Sequence, residues 1–194
     1  MPRKKRDPEQ AKHSIIEAAT AELREKGAAT ATVEAVAKRA GCAKGLVLYH
    51  FNTKQGLFES AGAAIAATRG AEWTEAFKAS NPTDAIDRTW HLLTDESANG
   101  VTLAWSSLLS PIGQISDQAV KELAQGFAEV LGAAGMGLFA ALDTEPRVNE
   151  DELGWLLASI VTGMEAALLS GADPEVVNGA YTAAWLGVLS LARA

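Results

Sequence analysis

The side chains able to do chemistry are few in this sequence, and their spacing excludes more than it includes. Cys42 is the one cysteine, the three histidines are far apart at 13, 50 and 91, and no Cys/His cluster has zinc spacing, so neither an internal disulfide nor a metal site is expected. No serine, histidine and acid form a nucleophile-base-acid pattern, and there is no phosphate-cradling loop, so the chain reads as a non-enzyme without a cofactor. Charge is what is unevenly placed. Residues 1–54 hold 11 Lys and Arg against 6 Asp and Glu, a net of +5, whereas the other 140 hold 6 against 18, a net of −12. An acidic body with a basic head directs any polyanion to the head alone. One carboxylate stands apart, because Glu165 lies in an otherwise apolar stretch where a buried charge is costly unless paired. A cationic or amine-bearing ligand suits it better than an anionic one, with Trp105 as a cation–π partner.

Scattered groups act only where a scaffold gathers them, and the composition points to helices. Hydrophobic residues make up 48% of the chain, Pro is scarce, and Ala, Leu and Glu recur, which favours helix over sheet. Periodicity and punctuation predict about nine helices. The first runs from Pro8 to Lys26 and stops at Gly27; Thr32 caps a second through Ala40, and Gly41 breaks it. A third spans Lys44 to Phe51, and Asn52-Thr53 separates it from a long fourth that begins near Lys54 and ends at Asn81-Pro82. Asn99-Gly100 ends a fifth, and Pro111 ends a brief sixth. A seventh runs from Ser116 towards Leu142, weakened in its second half by Gly126, Gly132, Gly135 and Gly137. The eighth follows the loop 143–149 and passes through Ser170, and Asp173-Pro174 opens a ninth that reaches the C-terminus.

Within this series, Thr32 to Phe51 places a short helix, a turn at Gly41 and a second short helix in about twenty residues, which is the helix-turn-helix plan. On spacing alone, an ordinary helical hairpin fits equally. The residues add more: the stretch GCAKGLVLYHFNTKQGLF from Gly41 to Phe58 resembles the start of the TetR (tetracycline-repressor-like) regulators. Ile15, Ile16, Ala18, Ala19, Gly27, Ala37, Ala40, Gly41, Gly45, Phe51, Lys54, Leu57 and Phe58 fall in that family's places, and the detailed likeness covers residues 10–60. The resemblance implies that the helix from Lys44 enters the major groove, with Lys44, Gly45, Leu46 and Tyr49 towards base edges and Thr32, His50 and Lys54 on phosphates. The basic run Arg3 to Arg6 suits either a neighbouring minor groove or nonspecific contact with phosphates. Two positions depart from the pattern: Leu48 stands where a phosphate-bonding Tyr is usual, and Ala43 where a Ser opens the helix.

The last two helices are apolar nearly all round, so they must be covered on several sides. A membrane span would strand Glu165 near its centre at about 2.5 to 3.5 kcal/mol, so a soluble homodimer is the better reading. The resemblance implies a four-helix bundle, expected through Val161, Glu165, Leu168, Val177, Tyr181 and Val188 or their neighbours. It also implies an effector cavity among the middle helices, for which Trp73, Trp90, Trp105, Phe127 and Glu165 are the candidates. The expected architecture is all-α: a three-helix helix-turn-helix domain, residues 1–54, and a helical ligand-binding and dimerisation domain, residues 55–194. The expected function is a cytoplasmic DNA-binding regulator, a repressor released from an inverted-repeat operator by a small apolar or aromatic effector. The alternative is a helical ligand-binding or scaffolding protein without specific DNA binding.

Overall fold

The computed structural model describes residues 7–79 and 81–193, and the basic run Arg3 to Arg6 lies outside them. Among the described residues there are nine helices and no strand beyond one isolated bridge: α1 Pro8–Thr30, α2 Val33–Arg39, α3 Lys44–Phe51, α4 Lys54–Ala76, α5 Pro82–Ala98, α6 Val101–Leu109, α7 Asp117–Ala141, α8 Glu150–Leu169 and α9 Pro174–Leu189. Contacts divide the chain into two compact units, the first reaching Ile65 and including Leu103–Lys121, the second formed by Ala66–Thr102 and Glu122–Ala194.

In the first unit the expected punctuation has local causes. Asp7 caps α1 by accepting from Glu9 N–H, and Pro8 occupies the first turn, where its missing N–H costs nothing. Gly27 leaves the helical region at φ 69°, and a Cβ there would meet Ser107 Cβ at 3.3 Å. The Ser107 hydroxyl then accepts from Ala28 N–H at 2.9 Å, which satisfies a donor that the kink frees. Ile15, Ala19 and Leu23 of α1 are buried with Val33, Val36 and Ala37 of α2 and Val47 and Phe51 of α3. Asn52, at φ 61°, ends α3, and Thr53 Oγ1 accepts from Gly56 N–H to start α4.

In the second unit, Asn81 caps α5, Asp173 caps α9, and α8 opens on a reciprocal pair, with Asn149 accepting from Glu152 N–H while the Glu152 carboxylate accepts from Asn149 N–H. α7 is continuous through its glycines, contrary to the weakening expected of them. Two of them are close-approach positions: a Cβ on Gly132 would lie 2.5 Å from Glu150 O, and one on Gly135 would lie 2.9 Å from Leu153 and Leu157 side chains. From the α8 side, a Cβ on Gly154 would lie 2.2 Å from Ala128 O. The glycines let two helices touch by backbone, and that contact compensates their low helix propensity. α9 stops at Leu189 instead of running on, because the chain beyond it pairs with the loop before α8: Arg147 N–H donates to Leu191 O and Arg193 N–H to Glu145 O.

Candidate nucleic-acid interface and ligand pocket

Two short helices and a tight turn build the candidate interface. Thr32 Oγ1 accepts from Ala35 N–H at 3.1 Å and starts α2. Gly41 turns the chain at φ 64° with open space where a Cβ would be, so its backbone conformation, not crowding, calls for glycine. Val47 and Phe51 anchor α3 from one side, which fixes Lys44, Gly45, Leu46 and Tyr49 outward. Tyr49 is the extreme case, a large ring at 78% exposed. His50 and Leu48 are half-buried, and the rings of Tyr49 and His50 meet edge-on at 5.3 Å. Lys54 is half-buried with its ammonium 4.9 Å over the Phe58 ring; burial lowers its pKa against the pull of Glu34. Lys44 Nζ donates to Glu34 on α2, and that hydrogen bond is the main cause holding the Glu34 carboxyl below its usual range. All seven predicted residues of this face therefore lie on α3 or at the adjoining starts of α2 and α4. Glu34 was not foreseen, since ten positions and a turn separate it from Lys44 and no helical period links them.

Of the five residues expected around a ligand, the second unit gathers Trp73, Phe127 and Glu165, but around a charge instead of a cavity. Arg69 forms two hydrogen bonds from Nε to Glu96, at 2.9 and 3.0 Å, and a third from Nη2 to Glu96 Oε2 at 2.9 Å. The same Nη2 donates to Glu165, Trp73 Nε1 donates to Glu96 at 3.1 Å, and the guanidinium stands 4.2 Å from the Phe127 ring centroid. All three charged side chains are essentially inaccessible. Burial pushes the Glu165 carboxyl up to about 7, opposed by Arg69 and reinforced by the negative charge of Glu96. Glu165 is thus a member of an internal ion cluster, which corrects its reading as a partner for a cationic ligand: the cation is Arg69. Arg69 and Glu96 were not among the expected residues, but the sequence carries a signal for them. Ile65, Arg69 and Trp73 stand four apart on α4, and Thr89, Leu93 and Glu96 share a stripe on α5, so both charges occupy core positions. Trp90 packs 5.6 Å from Tyr181, and Trp105 is buried in the first unit.

The second unit does have a pocket, of about 620 Å³, between the last turns of α4 and the C-terminal half of α7. Its walls are Phe77, Ala79, Val130, Ala133, Ala134, Gly137 and Ala141, with Thr74 and Lys78 as its polar edge. None of the five expected residues lines it.

Residues 15–61 match the family profile described as bacterial regulatory proteins, tetR family, and that span contains α2, α3 and the turn between them. The head of the chain is thus similar to the tetR family. The fold extends the likeness along the whole length: a Rhodococcus sp. structure described as a TetR-family transcriptional regulator superposes with a TM-score of 0.72 at 19% identity, covering 92% of this chain and 97% of the other. A TetR transcription regulator from Haloarcula marismortui gives 0.69 at 18%, covering 95% and 100%. The multidrug binding protein EbrR, complexed with imidazole, gives 0.63 at 25%, covering 95% and 96%. No curated protein matches the chain in sequence.

In this TetR-like fold the residues expected at a subunit interface are placed differently. Val161, Glu165, Val177, Tyr181 and Val188 are buried inside their own unit, and Leu168 is half-buried. Tyr181 donates its hydroxyl to Thr89 Oγ1 at 2.8 Å, and burial raises its pKa. These residues are the inner stripe that holds α8 and α9 on α5. The outward stripe is their neighbours: Trp155, Leu156 and Leu169 on α8, with Val176 at 68% and Leu186 at 62% exposed on α9. Because both helices are apolar all round, composition alone does not say which stripe is which.

Proposed function

We propose that this chain is a homodimeric, cytoplasmic DNA-binding regulator whose α3 lies in the major groove of an inverted-repeat operator, and that it acts as a repressor released by a small, largely apolar or aromatic effector. The observation that carries the reading is the outward edge of α3. Lys44, Gly45, Leu46 and Tyr49 are exposed together on a helix rigidly seated by Val47 and Phe51, inside the segment that matches the tetR profile. Such an edge offers a lysine for guanine O6/N7, an apolar side chain for a thymine methyl, and a glycine that allows close approach. Thr32, His50 and Lys54 flank it as phosphate contacts. On this reading the functional division is residues 1–54 for DNA and 55–194 for ligand and partner.

The effector would occupy the pocket between α4 and α7, whose 620 Å³ and mainly apolar walls fit a drug-sized molecule. That EbrR is described as a multidrug binding protein is consistent with such a role. A second reading, a ligand-binding or scaffolding protein without specific DNA binding, is kept by Ala43 and Leu48, neither of which has a hydroxyl, and by the lack of any side-chain cap on α3. Selection of bound duplexes from a randomised library decides between them. We expect an enriched inverted repeat, a uniform loss of affinity in K54A, and a changed preference at one base pair in K44A. Recovery of unenriched sequence would establish the second reading.

A further inference from the structure

Beside the cationic edge of α3 stands a carboxylate of α2 that the DNA reading alone does not explain. Glu34 lies in the first turn of α2, and Lys44 Nζ donates to it across the turn; the two side chains are 62% and 52% exposed, so they meet in water and not because the core forces them together. Lys54, the other cation of this face, is close enough for Glu34 to favour its charged form. A nucleic-acid interface gains affinity from every lysine that releases counterions on reaching a phosphate. Glu34 works against that gain, since it neutralises one of the two lysines and sets a negative charge where phosphates must approach.

We propose that Glu34 is a specificity-determining positioning residue: it holds the Lys44 ammonium towards base edges and withholds its charge from the phosphate backbone. The inference rests on the reading of α3 as the DNA-contacting helix. The chemistry permits both tasks at once, because a lysine ammonium has three donors. One bound to Glu34 leaves two for guanine O6 and N7, whereas a free Lys44 on its flexible stem takes whichever phosphate is nearest. On random sequence the paired lysine contributes little, and the like-charge approach of Glu34 to phosphate is a penalty that only a correct base contact offsets.

The test compares wild type with Glu34→Gln, which keeps the shape and removes the charge at an exposed position. The probes are an operator selected by the wild-type protein from a randomised library and a random duplex of equal length, each titrated across a salt series. One additional lysine–phosphate contact steepens the salt slope by about 0.9, which is roughly eightfold in affinity between 1 M and 0.1 M salt. E34Q is expected to gain about that factor on the random duplex and less on the operator, so that discrimination falls. In a Lys44→Met background the gain should shrink to the part that comes from relieving Glu34's own repulsion of phosphate. An unchanged slope in E34Q, or an undiminished gain with Lys44 replaced, would overturn the inference while leaving the DNA reading intact. Absence of binding by wild type and E34Q to every duplex would overturn both.

Discussion

Glu165 shows how far a single residue's environment can carry its chemistry from its sequence context. A lone acid in an apolar helix invites a ligand cation, but the structure supplies Arg69 from α4 and adds a second carboxylate, Glu96, to the same guanidinium. Two negative charges on one positive in a dry site leave Glu165 with a carboxyl raised to about 7 from an ordinary 4.5, burial being the first cause. Its Oε2 has no hydrogen-bond partner among the described residues, a vacancy that a proton fills more cheaply than a charge. The folded state therefore binds more protons than the unfolded chain between about 4.5 and 7, so the stability attached to Glu165 is fully present below 4.5 and is lost as pH rises to 7. The loss is on the order of 3 kcal/mol at pH 8 relative to a neutral side chain. Urea midpoints of Glu165→Gln should accordingly match wild type near pH 5 and exceed it at pH 8; identical pH profiles would refute the assignment. Replacing the guanidinium has the opposite effect. Arg69→Met leaves two buried carboxylates facing each other and should cost about 3 to 5 kcal/mol at neutral pH, measured by the same titration.

At the scale of elements, helix positions were legible because their ends are written in local chemistry: Thr32 and Asp173 cap where the sequence says they should, and Asn81 and Asn149 cap at boundaries that the sequence marks only as the end of α4 and the end of a loop. Which face of each helix goes inward was legible only when the helix is amphipathic. In α8 and α9 both stripes are apolar, so a register one position away from Val161 and Val177 reads equally well, and burial alone separates inner from outer. Glycines in α7 were ambiguous for a related reason, since a residue without a side chain either weakens a helix or admits a neighbour. Two substitutions resolve that ambiguity, one on the α8 side of the contact and one in α7. Gly154→Ala drives a methyl to within 2.2 Å of a backbone oxygen that cannot move aside, and should destabilise by about 1 to 3 kcal/mol or more. Gly126→Ala meets nothing within 4 Å in a helix interior and should stabilise by about 0.5 to 1 kcal/mol. Thermal melts of the two variants should move in opposite directions, and a fall in both would show that α7 depends on its glycines for something besides packing.

For the whole molecule, the exposed residues Trp155, Leu156, Leu169, Val176 and Leu186 are the feature that bears on the proposed homodimer. Large side chains scattered singly over a surface need no explanation, but five on two adjacent helices, with Gly163, Ala166, Gly179, Ala180 and Gly187 exposed between them, offer a surface on which a second copy would pack in the proposed homodimer. In the proposed homodimer a two-fold axis through this face would make the contact self-complementary, and two copies of α3 would read an inverted repeat. Operator half-sites should then recur about one helical turn apart, roughly 34 to 36 Å, or somewhat more. Replacing Leu186 or Trp155 with Glu places like charges across the axis and should give a folded monomer by sedimentation at micromolar concentration, with unchanged helicity. That monomer should bind an isolated half-site as wild type does, and should gain nothing from the second. Geometry gives an independent check on wild type: about 5 bp inserted between half-sites turns them to opposite faces of the duplex and should reduce affinity to that of one half-site, while about 10 bp restores the facing. A wild-type protein that sediments as a monomer, or that tolerates both insertions equally, would mean that the apolar stripe serves some contact other than the pairing that positions α3 on DNA.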